Sequence, residues 1–517
     1  MSQELRAKNT ASNNQHTKII DGEYIIIFEN QFENKISENI GREVDQLQNS
    51  ILTSAAISED SVLNSYKYAI KGFAAKLSDR QLKALKNDPR IRSVTPNALF
   101  KLAYRTNTTG SFIFSKIDVV KSSLLFNSQI LPWGVARVGG PLNGTGKIAW
   151  ILDSGIDLDH PDLNVDVNNS ASFIASESAD DQDGHGTHVA GIIAAKNNSI
   201  GVVGVAAGAT VVAVKVCNSL PPSDPNSGCP VSSIINGVDY TAIRAQPGDI
   251  VNMSLGGYDP NNNYTSIDDA VINAANAGIR FSIAAGNDAS NASSFTPARV
   301  NHSNVWTVSA FRQGDEFVQT FDSNTPNCNP LNNPNSGSNY GNPPVDFSGP
   351  GESIFSLWKN GGTNTTCGTS MADPHIAGLL LTVPNDISID GYVTNDPDNN
   401  PDKIAAYVPV VLSAPYIFAS VVNGYPKISW GAVTNAQNYK VYRRIEDGSW
   451  SLYTTTSSTS LTDYSQYSSN MSVIFNPHPV WTGKLSYQIK AAASGINDSP
   501  YSNTVYFSKT GTGGPIE

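Results

Sequence analysis

Four well-separated residues have the side-chain types that acyl-transfer chemistry uses. In chain order they are Asp153, His185, Asn287 and Ser370, and each has a glycine within two residues. Acyl transfer needs a nucleophile, a base that takes its proton, a carboxylate that orients the base, and hydrogen-bond donors for the oxyanion. Each residue alone is more often structural, but the set supplies all four parts and therefore predicts an active site.

The serine lies at the start of an apolar stretch with helical period. In TNTTCGTSMADPHIAGLLL, residues 363–381, a small polar turn containing Gly368 leads directly into Ser370. A helix start has free backbone N–H groups and the positive end of the helix dipole. A hydroxyl there, whose own N–H points at an incoming carbonyl, suits a nucleophile. A plain N-cap serine is the structural alternative.

The other three residues lie where an apolar run ends or begins. Asp153 follows the strand pattern KIAWIL, and Asn287 closes IAAGN. His185 lies in DQDGHGTHVAGIIAA, where a glycine turn opens a helical pattern. His188 is a second candidate one turn later, and we expect it to pack elsewhere. A carboxylate at a strand end or an asparagine after glycine is commonly a turn residue, so these assignments depend on the whole set.

Strand and helix patterns alternate around these residues. Strand patterns occur at 147–152, 209–216, 249–254, 280–285 and 304–310, and helical patterns at 185–196, 231–245 and 265–278. This alternation predicts an α/β fold with a parallel sheet covered on both faces. The site is expected at the carboxyl ends of the strands.

Length and pattern predict several domains. A chain of 517 residues is too long for one ordinary core, and about two to four domains are expected. We predict a disordered lead, a small α+β domain, a connector, the α/β domain, an all-β sandwich and a tail. Their ranges are 1–20, 21–103, 104–127, 128–411, 412–509 and 510–517.

The net charge and the hydropathy of the chain argue against some classes of binding partner. The net charge of −11 and the lack of a basic cluster disfavour a nucleic-acid partner. No apolar run reaches the ~18 residues that a membrane span needs. The polar N-terminus lacks the apolar core of a signal peptide. We therefore expect either an intracellular protein or an exported one whose signal has been removed.

The four cysteines lie in polar loops, at positions 217, 229, 328 and 367. They lack the paired spacing of a zinc site. We favour two disulfides in an exported protein over free thiols, with the pairing undetermined.

Five segments together resemble the subtilisin-like serine proteases. They are DSGIDLDHPDL, DGHGTHVAGIIAA, NMSLGG, AAGN and GTSMADPHIAG, within roughly 128–385. The chain order Asp, His, Ser is that of subtilisin. The resemblance implies a three-layer catalytic domain in which Asp153 orients His185, the general base, and Ser370 is the nucleophile. Asn287 and the Ser370 N–H would be the oxyanion donors, with Thr369 assisting.

The resemblance also implies a substrate cleft. Substrate would lie as an extended strand against residues 254–256, and this segment together with residues 284–286 would form the pocket walls. These residues are Ser254, Leu255, Gly256, Ala284, Ala285 and Gly286. Phe295 either narrows the pocket or packs in the core.

A structural calcium ion is a further implication. The loop KNNSIGV, 196–202, matches the family's calcium loop, and all donors would be the oxygens that Ca²⁺ requires. The positions are Gln129, Asp162, Lys196, Asn198, Ile200 and Val202. The alternative is an asparagine-rich surface loop. The cluster NDPDNNPD at 395–402 is a weaker candidate for a second ion, and a polar linker is favoured there.

The flanking segments resemble accessory domains. Residues 21–103 resemble an inhibitor-type prodomain that is later cut away, and SQILPWGV resembles a mature N-terminus, which places cleavage near Asn127–Ser128. Residues 412–509 resemble a fibronectin type III domain, marked by Trp430 and the strand 487–491.

Two features depart from the family pattern. Asp373 replaces the small residue expected three positions after the serine. If it faces the cleft, it would raise the barrier or favour basic substrates, although a carboxylate suits the first helical turn. Val383-Pro384-Asn385 ends the helix early, so the usual C-terminal helices are hard to place in 386–411.

Three functions are therefore compared. The leading hypothesis is a secreted serine endopeptidase, expected to be a monomer, made as a self-processed precursor that its own prodomain inhibits. The alternative is an inactive scaffold that binds partners through its sandwich domain. A serine esterase is disfavoured because the Gly-x-Ser-x-Gly elbow is lacking.

Overall fold

A computed structural model describes most of the chain as two units, Met1–Val408 and Pro409–Glu517. The described residues are 17–29, 36–100, 129–221, 224–321, 328, 336–385, 387–408, 412–474, 484–493 and 498–509. The predicted connector 104–127, the expected cleavage point Asn127–Ser128 and the tail 510–517 lie outside them.

The N-terminal domain, residues 17–100, has the predicted α+β character. Its elements are β1 (Thr17–Phe28), α1 (Glu38–Ser54), β2 (Val62–Tyr66), β3 (Gly72–Lys76), α2 (Asp79–Lys86) and β4 (Ile91–Phe100). The strands pair antiparallel in the order β4-β1-β3-β2. Ser37 caps α1 by accepting a hydrogen bond from Ile40 N–H, and α1 buries Val44 and Ile51 against the sheet. β1 begins at Thr17, inside the stretch predicted to be disordered.

The central domain follows from residue 129. Its helices are α3 (Trp133–Arg137), α4 (His185–Ala194), α5 (Val231–Arg244), α6 (Thr265–Asn276) and α7 (Thr369–Thr382). Its strands are β5 (Leu142–Asn143), β6 (Ile148–Asp153), β7 (Asn164–Val165), β8 (Ala171–Ser172), β9 (Ala206–Ala207), β10 (Thr210–Lys215), β11 (Cys229–Pro230), β12 (Ile250–Met253), β13 (Gly257–Tyr258), β14 (Arg280–Ala284), β15 (Phe295–Thr296), β16 (Val305–Arg312), β17 (Glu316–Phe317), β18 (Val345–Pro350), β19 (Ile354–Trp358), β20 (Gly362–Thr366), β21 (Ser388–Tyr392) and β22 (Lys403–Ala406).

One mostly parallel sheet organises this domain. Its order is β21-β22-β18-β16-β14-β12-β6-β10-β7, and β17 and β21 are its antiparallel members. Alternate side chains of β6 enter opposite cores: Trp150 packs with α5 and α6, whereas Ile151 packs with α4 and α7. The predicted three-layer arrangement is therefore confirmed. Asp153, the last residue of β6, lies at the carboxyl edge of the sheet.

Strands rather than helices continue the sheet after α7. α7 ends at Thr382, as the break at Val383–Asn385 predicted. Within 386–411, β22 pairs parallel with β18 through Ile404 and Ser348, and β21 pairs antiparallel with β22. Ile404 is fully buried. β21 and β22 therefore cover the edge of the sheet beside β18, in the part of the chain where no C-terminal helix could be predicted.

The second unit is an all-β sandwich, as predicted. Its strands are β23 (Ile417–Val422), β24 (Tyr425–Trp430), β25 (Asn438–Ile445), β26 (Ser451–Thr456), β27 (Ser460–Thr462), β28 (Ser472–Ile474), β29 (Lys484–Ala492) and β30 (Val505–Ser508). They form sheets ordered β23-β24-β27 and β26-β25-β29-β30-β28. Trp430 of the first sheet and Tyr439 of the second meet edge to face in a shared core, with ring centroids 5.3 Å apart.

The four cysteines form two disulfides, Cys217–Cys229 and Cys328–Cys367, which confirms that prediction. No described helix combines the length and the apolar character that crossing a membrane requires.

The N-terminal domain docks on α5 and on the short strand β11, which pairs with the end of β4. Asp239 of α5 is buried and accepts hydrogen bonds from the backbone N–H groups of Lys67 at 2.8 Å, and of Tyr68 and Ala69 at 2.6 Å. A carboxylate that satisfies three N–H groups at a buried boundary ties the two domains together.

We predict that Asp239→Ala loosens this docking. The change leaves three N–H groups without their acceptor, and hydrogen bonds to a charged group contribute about 1.5–3 kcal/mol each. Hydrogen exchange at residues 67–69 should speed up about 10²-fold when it is measured on full-length chains that also carry Ser370→Ala. Asp269→Ala, which removes the more exposed ion pair with Arg92 at 2.6 Å, is the control and should have an effect of about fivefold or less. Equal increases in exchange rate in the two variants would contradict the role of Asp239 in holding the N-terminal domain on α5.

Candidate active site

Asp153 and His185 form a buried pair at the carboxyl edge of the sheet. His185 is the first residue of α4, and its Nδ1 lies 2.7 Å from Asp153 Oδ1. Both side chains are fully buried. The preceding Gly184 has φ 113°, and a Cβ there would lie 2.2 Å from Trp358 Cε2. Only glycine fits this turn into α4.

Asp181 holds the start of α4 against the end of β6. Its Oδ1 accepts from Ser154 Oγ at 3.0 Å and from Gly184 N–H at 2.8 Å, and its Oδ2 accepts from Thr187 N–H at 2.9 Å. Ser154 Oγ in turn accepts from Gly186 N–H at 3.0 Å. Sequence reasoning missed Asp181, although an acidic residue four positions before the histidine, at a helix start, is a usable signal.

The surroundings of His185 favour its protonated form on balance. Burial lowers the pKa of His185, but the carboxylates of Asp153, Asp183 and Asp181 outweigh burial and raise the pKa above 6.5. His188 packs elsewhere, as expected, with Nε2 3.1 Å from Ile354 O. Burial lowers the pKa of His188 to about 3.

Ser370 is the second residue of α7 and is fully buried. Its Oγ donates to Ser254 O at 3.1 Å, and Ser254 Oγ lies 3.0 Å from Ser370 O. The preceding Gly368 has φ 143°, a conformation that favours glycine. The structure therefore presents the predicted nucleophile at a helix N-terminus.

Asn287 is tied to the same helix start. Its Oδ1 accepts from Thr369 N–H at 2.8 Å and from Thr369 Oγ1 at 3.0 Å, while Thr369 Oγ1 accepts from Gly286 N–H at 3.1 Å. Since its oxygen is turned toward Thr369, Asn287 presents its NH₂ group on the other side. A Cβ on Gly368 would lie 3.1 Å from Asn287 Nδ2, so the two segments approach closely.

Asn339 braces the loop that carries Asn287. Its Oδ1 accepts from Asp288 N–H at 2.9 Å and Ser290 N–H at 3.1 Å, and its Nδ2 donates to Ala285 O at 2.9 Å. Asn339 is fully buried. Sequence reasoning missed this residue, because nothing in its local pattern distinguishes it from a turn asparagine.

Two family models match the chain: the subtilase family over residues 144–389 and peptidase inhibitor I9 over residues 23–103. The subtilisin-like serine protease AsES of Sarocladium strictum is 34% identical over 331 residues, which cover 61% of this chain and 70% of that protein. The chain belongs to the subtilase family.

Further relatives agree with this assignment. The cuticle-degrading protease of Metarhizium anisopliae is 31% identical, with 71% of this chain and 80% of that protein covered. Subtilisin amylosacchariticus of Bacillus subtilis subsp. amylosacchariticus is 36% identical, with 62% and 72% covered. Subtilases are serine endopeptidases, so this chain is a serine endopeptidase preceded by an inhibitor-type prodomain, as the resemblance predicted.

The predicted substrate walls of this subtilase lie on neighbouring strand ends. Ser254 and Leu255 follow β12 and are buried, whereas Gly256 is partly exposed. On the facing side, residues 284–286 continue from β14. Phe295 packs in the core, with its ring centroid 5.3 Å from that of Tyr258, and its Cδ1 lies 3.6 Å from a Cβ built on Gly286. Core packing is thus the interpretation of Phe295 that the structure supports.

Asp373 points into the protein and does not face the cleft, so the effects expected of a cleft-facing carboxylate do not apply. It is fully buried, and its carboxyl group contacts the hydroxyls of Ser282 on β14 and of Ser254. The first turn of α7 lies over these strands, which directs position 373 toward the sheet.

The six calcium-loop positions come together around Gln129. Its Nε2 lies 2.6 Å from Lys196 O and 3.0 Å from Val202 O, and Asn198 Nδ2 lies 2.6 Å from Asp162 Oδ1. Ile200 N–H donates to Asn198 Oδ1 at 2.7 Å. Among the residues that the structure describes, no group of three or more His, Cys, Asp or Glu side chains is placed to hold a metal. This set contains one carboxylate, so amide and carbonyl oxygens would supply the other ligands, which fits Ca²⁺.

We predict that Asp153→Asn lowers the pKa of His185. The change removes the carboxylate that opposes the effect of burial, and the ring can be followed by ¹⁵N NMR titration. Asp183→Asn is the control: Asp183 Oδ1 accepts from the His185 backbone N–H at 3.1 Å, so a smaller decrease is expected. An unchanged His185 pKa in Asp153→Asn would contradict this account of the pair.

Proposed function

We propose that this chain is the precursor of a secreted subtilase that cleaves peptide bonds with Ser370 as nucleophile, His185 as general base and Asp153 as orienting carboxylate. The supporting observation is the 2.7 Å contact between His185 Nδ1 and Asp153 Oδ1, both fully buried where β6 ends. Nothing in the described residues favours the inactive scaffold.

The proton transfers follow from this contact. His185 donates its Nδ1–H to Asp153, which makes Nε2 the basic nitrogen of the neutral ring. Nε2 takes the Ser370 proton as Oγ attacks the substrate carbonyl, and it then gives that proton to the leaving amine. In the second half-reaction, water attacks the acyl-enzyme, and His185 takes and returns a proton in the same way. Asp153 stabilises the imidazolium that forms in each half-reaction.

Asn287 and the helix start would stabilise the oxyanion. The Ser370 N–H is one of the N–H groups that a helix leaves without an intrahelical partner. The Asn287 NH₂ group is the second donor, and its bonds to Thr369 fix its orientation before substrate binds. Donors held in place in this way lower the barrier because they need not reorganise during the reaction.

Substrate would add as an extended strand along residues 254–256. The partly exposed Gly256 supports this, because its backbone can be reached. The prodomain approaches the same edge: Phe100, at the end of β4, lies so close to Gly257 that a Cβ there would be 2.3 Å from its Cδ1. We propose that the N-terminal domain inhibits the enzyme and that Ser370 cuts the precursor near Asn127–Ser128.

The disulfides and the core of the sandwich domain support two further parts of the proposed function, secretion and a fibronectin type III-like domain. Two disulfides support an oxidising compartment. The two-sheet core around Trp430 and Tyr487 supports a fibronectin type III-like domain at 412–509. We propose that the catalytic unit acts as a monomer on protein substrates.

We also propose a structural calcium ion held by Gln129, Asp162, Asn198 and the carbonyl oxygens of Lys196, Ile200 and Val202. Burial raises the pKa of Asp162. A bound cation would offset that cost and would brace the loop 196–202 against residue 129.

We predict that Ser370→Ala stays at the mass of the full precursor, whereas the wild-type chain converts to a smaller mature form. Loss of the hydroxyl should reduce turnover about 10⁶-fold, the loss recorded for this deletion in subtilisin. Intact-mass spectrometry after incubation with Ca²⁺ measures the conversion. Ser451→Ala, which removes an exposed hydroxyl on β26 of the second unit, is the control and should process normally. Conversion of Ser370→Ala at the wild-type rate would refute self-processing.

We predict that a chelator lowers the thermal stability of the wild-type chain and not of Asp162→Asn. A ligand at about 1,000 times its Kd stabilises the folded state by about 4 kcal/mol. Melting is compared at 10 mM Ca²⁺ and in excess EGTA, with Mg²⁺ as the ion-specificity control. An equal response of the two chains would show that Ca²⁺, if bound, lies elsewhere.

A further inference from the structure

Asp373 is a buried carboxyl group for which the proposed mechanism has no use. It lies three residues after Ser370 on α7. Its Oδ1 accepts a hydrogen bond from Ser282 Oγ, and its Oδ2 lies 3.2 Å from Ser254 Oγ. A buried carboxyl group is costly without polar partners. Both partners belong to the central sheet: Ser282 lies on β14, and Ser254 follows β12.

The Ser254 hydroxyl has one hydrogen and two neighbouring acceptors. Its Oγ lies 3.0 Å from Ser370 O and 3.2 Å from Asp373 Oδ2, and it accepts from Asn252 Nδ2 at 2.9 Å. A hydroxyl donates once and accepts twice. An ionised Asp373 therefore competes with Ser370 O for that hydrogen. A protonated Asp373 donates to the second lone pair of Ser254 Oγ, and the hydrogen remains available to Ser370 O.

Ser370 O needs this donor because of the proline in α7. In an α-helix the carbonyl of residue i accepts from the N–H of residue i+4. For Ser370 that residue is Pro374, which has no N–H. The Ser254 hydroxyl takes its place. Since Ser370 Oγ also donates to Ser254 O at 3.1 Å, the two residues hold each other through both side chains.

We propose that Asp373 is a positioning residue for the nucleophile: its neutral carboxyl group donates to Ser254 Oγ, so that the Ser254 hydroxyl donates to Ser370 O. Ionisation of Asp373 turns that hydroxyl away and releases the peptide group that carries Ser370. This inference rests on the proposed role of Ser370.

Among the residues that the structure describes, few charged groups face Asp373. β6 presents Asp153, whose negative charge opposes ionisation of Asp373, and α4 presents His185, which is bonded to Asp153. Arg280 of β14 is directed at the other end of α7, where it donates to Leu380 O at 2.7 Å. On α7 itself His375 bonds to Met371 O at 2.8 Å, and burial lowers the pKa of His375 to about 4, so this ring is neutral.

The direction of the pH effect follows from these surroundings. Burial raises the pKa of Asp373 to about 7, the hydrogen bonds that Ser282 and Ser254 can donate to the ionised form oppose that rise, and the charge of Asp153 adds to it. Activity rises with pH as His185 loses its proton, and it falls again as Asp373 ionises. Asp373 thus gives the enzyme an alkaline decline, whereas the acid limb of the profile is set by His185.

The test is the pH profile of kcat and KM on a peptide substrate from pH 5 to 10. The full chain is allowed to process itself, and active enzyme is counted by fluorophosphonate titration. In wild type, kcat should fall about tenfold on the alkaline side, equivalent to one hydrogen bond of about 1.4 kcal/mol, with KM little changed. Asp373→Asn replaces the carboxyl O–H with an amide donor to Ser254 and keeps an oxygen acceptor for Ser282. It should retain maximal kcat within about threefold and lose the decline.

Asp346→Asn is the matched control. Asp346 is another carboxyl group whose pKa burial raises, to about 6, but it accepts from Thr307 N–H at 2.9 Å, away from Ser370. Its variant should keep the wild-type profile. If Asp373→Asn does not process, Asp373→Ser, which keeps a hydroxyl donor, replaces it.

Three outcomes would overturn the inference. They are a wild-type profile without an alkaline decline, an unchanged decline in the Asp373 variant, and loss of the decline in Asp346→Asn. A wild-type chain that neither cleaves peptide nor reacts with the fluorophosphonate would overturn the proposed function as well. An enzyme that cleaves peptide but shows one of these three pH profiles would overturn this inference and leave the proposed function intact.

Discussion

The site depends on one constraint: the start of helix α7 is buried, so its polar groups must find partners inside the protein. A helix leaves its first N–H groups without intrahelical partners, and burying them unpaired is costly. Asn287 Oδ1 takes the Thr369 N–H, and Ser254 and Ser370 bond to each other through both side chains. The contacts that stabilise the helix end are the same contacts that aim Ser370 and Asn287.

Parallel topology brings the remaining parts to this point. Because β6, β12 and β14 end at one edge of the sheet, Asp153, Ser254 and Ala284 become neighbours although they are far apart in sequence. The start of α4 meets that edge and delivers His185. Asp181 holds this second helix start to the end of β6, as Asn339 holds the loop that carries Asn287.

The sequence predicted the parts of the site that carry local signals. Asp153, His185, Asn287 and Ser370 each lie beside a glycine turn at the start or the end of a regular pattern, and alternating strand and helix patterns predict the three-layer sheet. The sequence could not predict Asn339, because its bonds to residues 285–290 depend on how two loops fold together.

Local sequence patterns also could not predict the direction of the Asp373 side chain or the two short strands at the edge of the sheet. Position 373 belongs to a predicted first helical turn, but which face it takes depends on how α7 crosses β12 and β14. β21 and β22 are short, and β21 is exposed along most of its length, so they carry little hydrophobic periodicity. Their register depends on pairing with β18.

The central claim is that the His185–Asp153 pair activates Ser370. The rate at which a peptide fluorophosphonate labels the processed enzyme, followed with pH, tests it most directly, with the adduct located by mass spectrometry. The account predicts one adduct per chain, on Ser370, at a rate that rises about tenfold per pH unit below the pKa of His185. An adduct on another residue, or a labelling rate that does not change over that range, would contradict it.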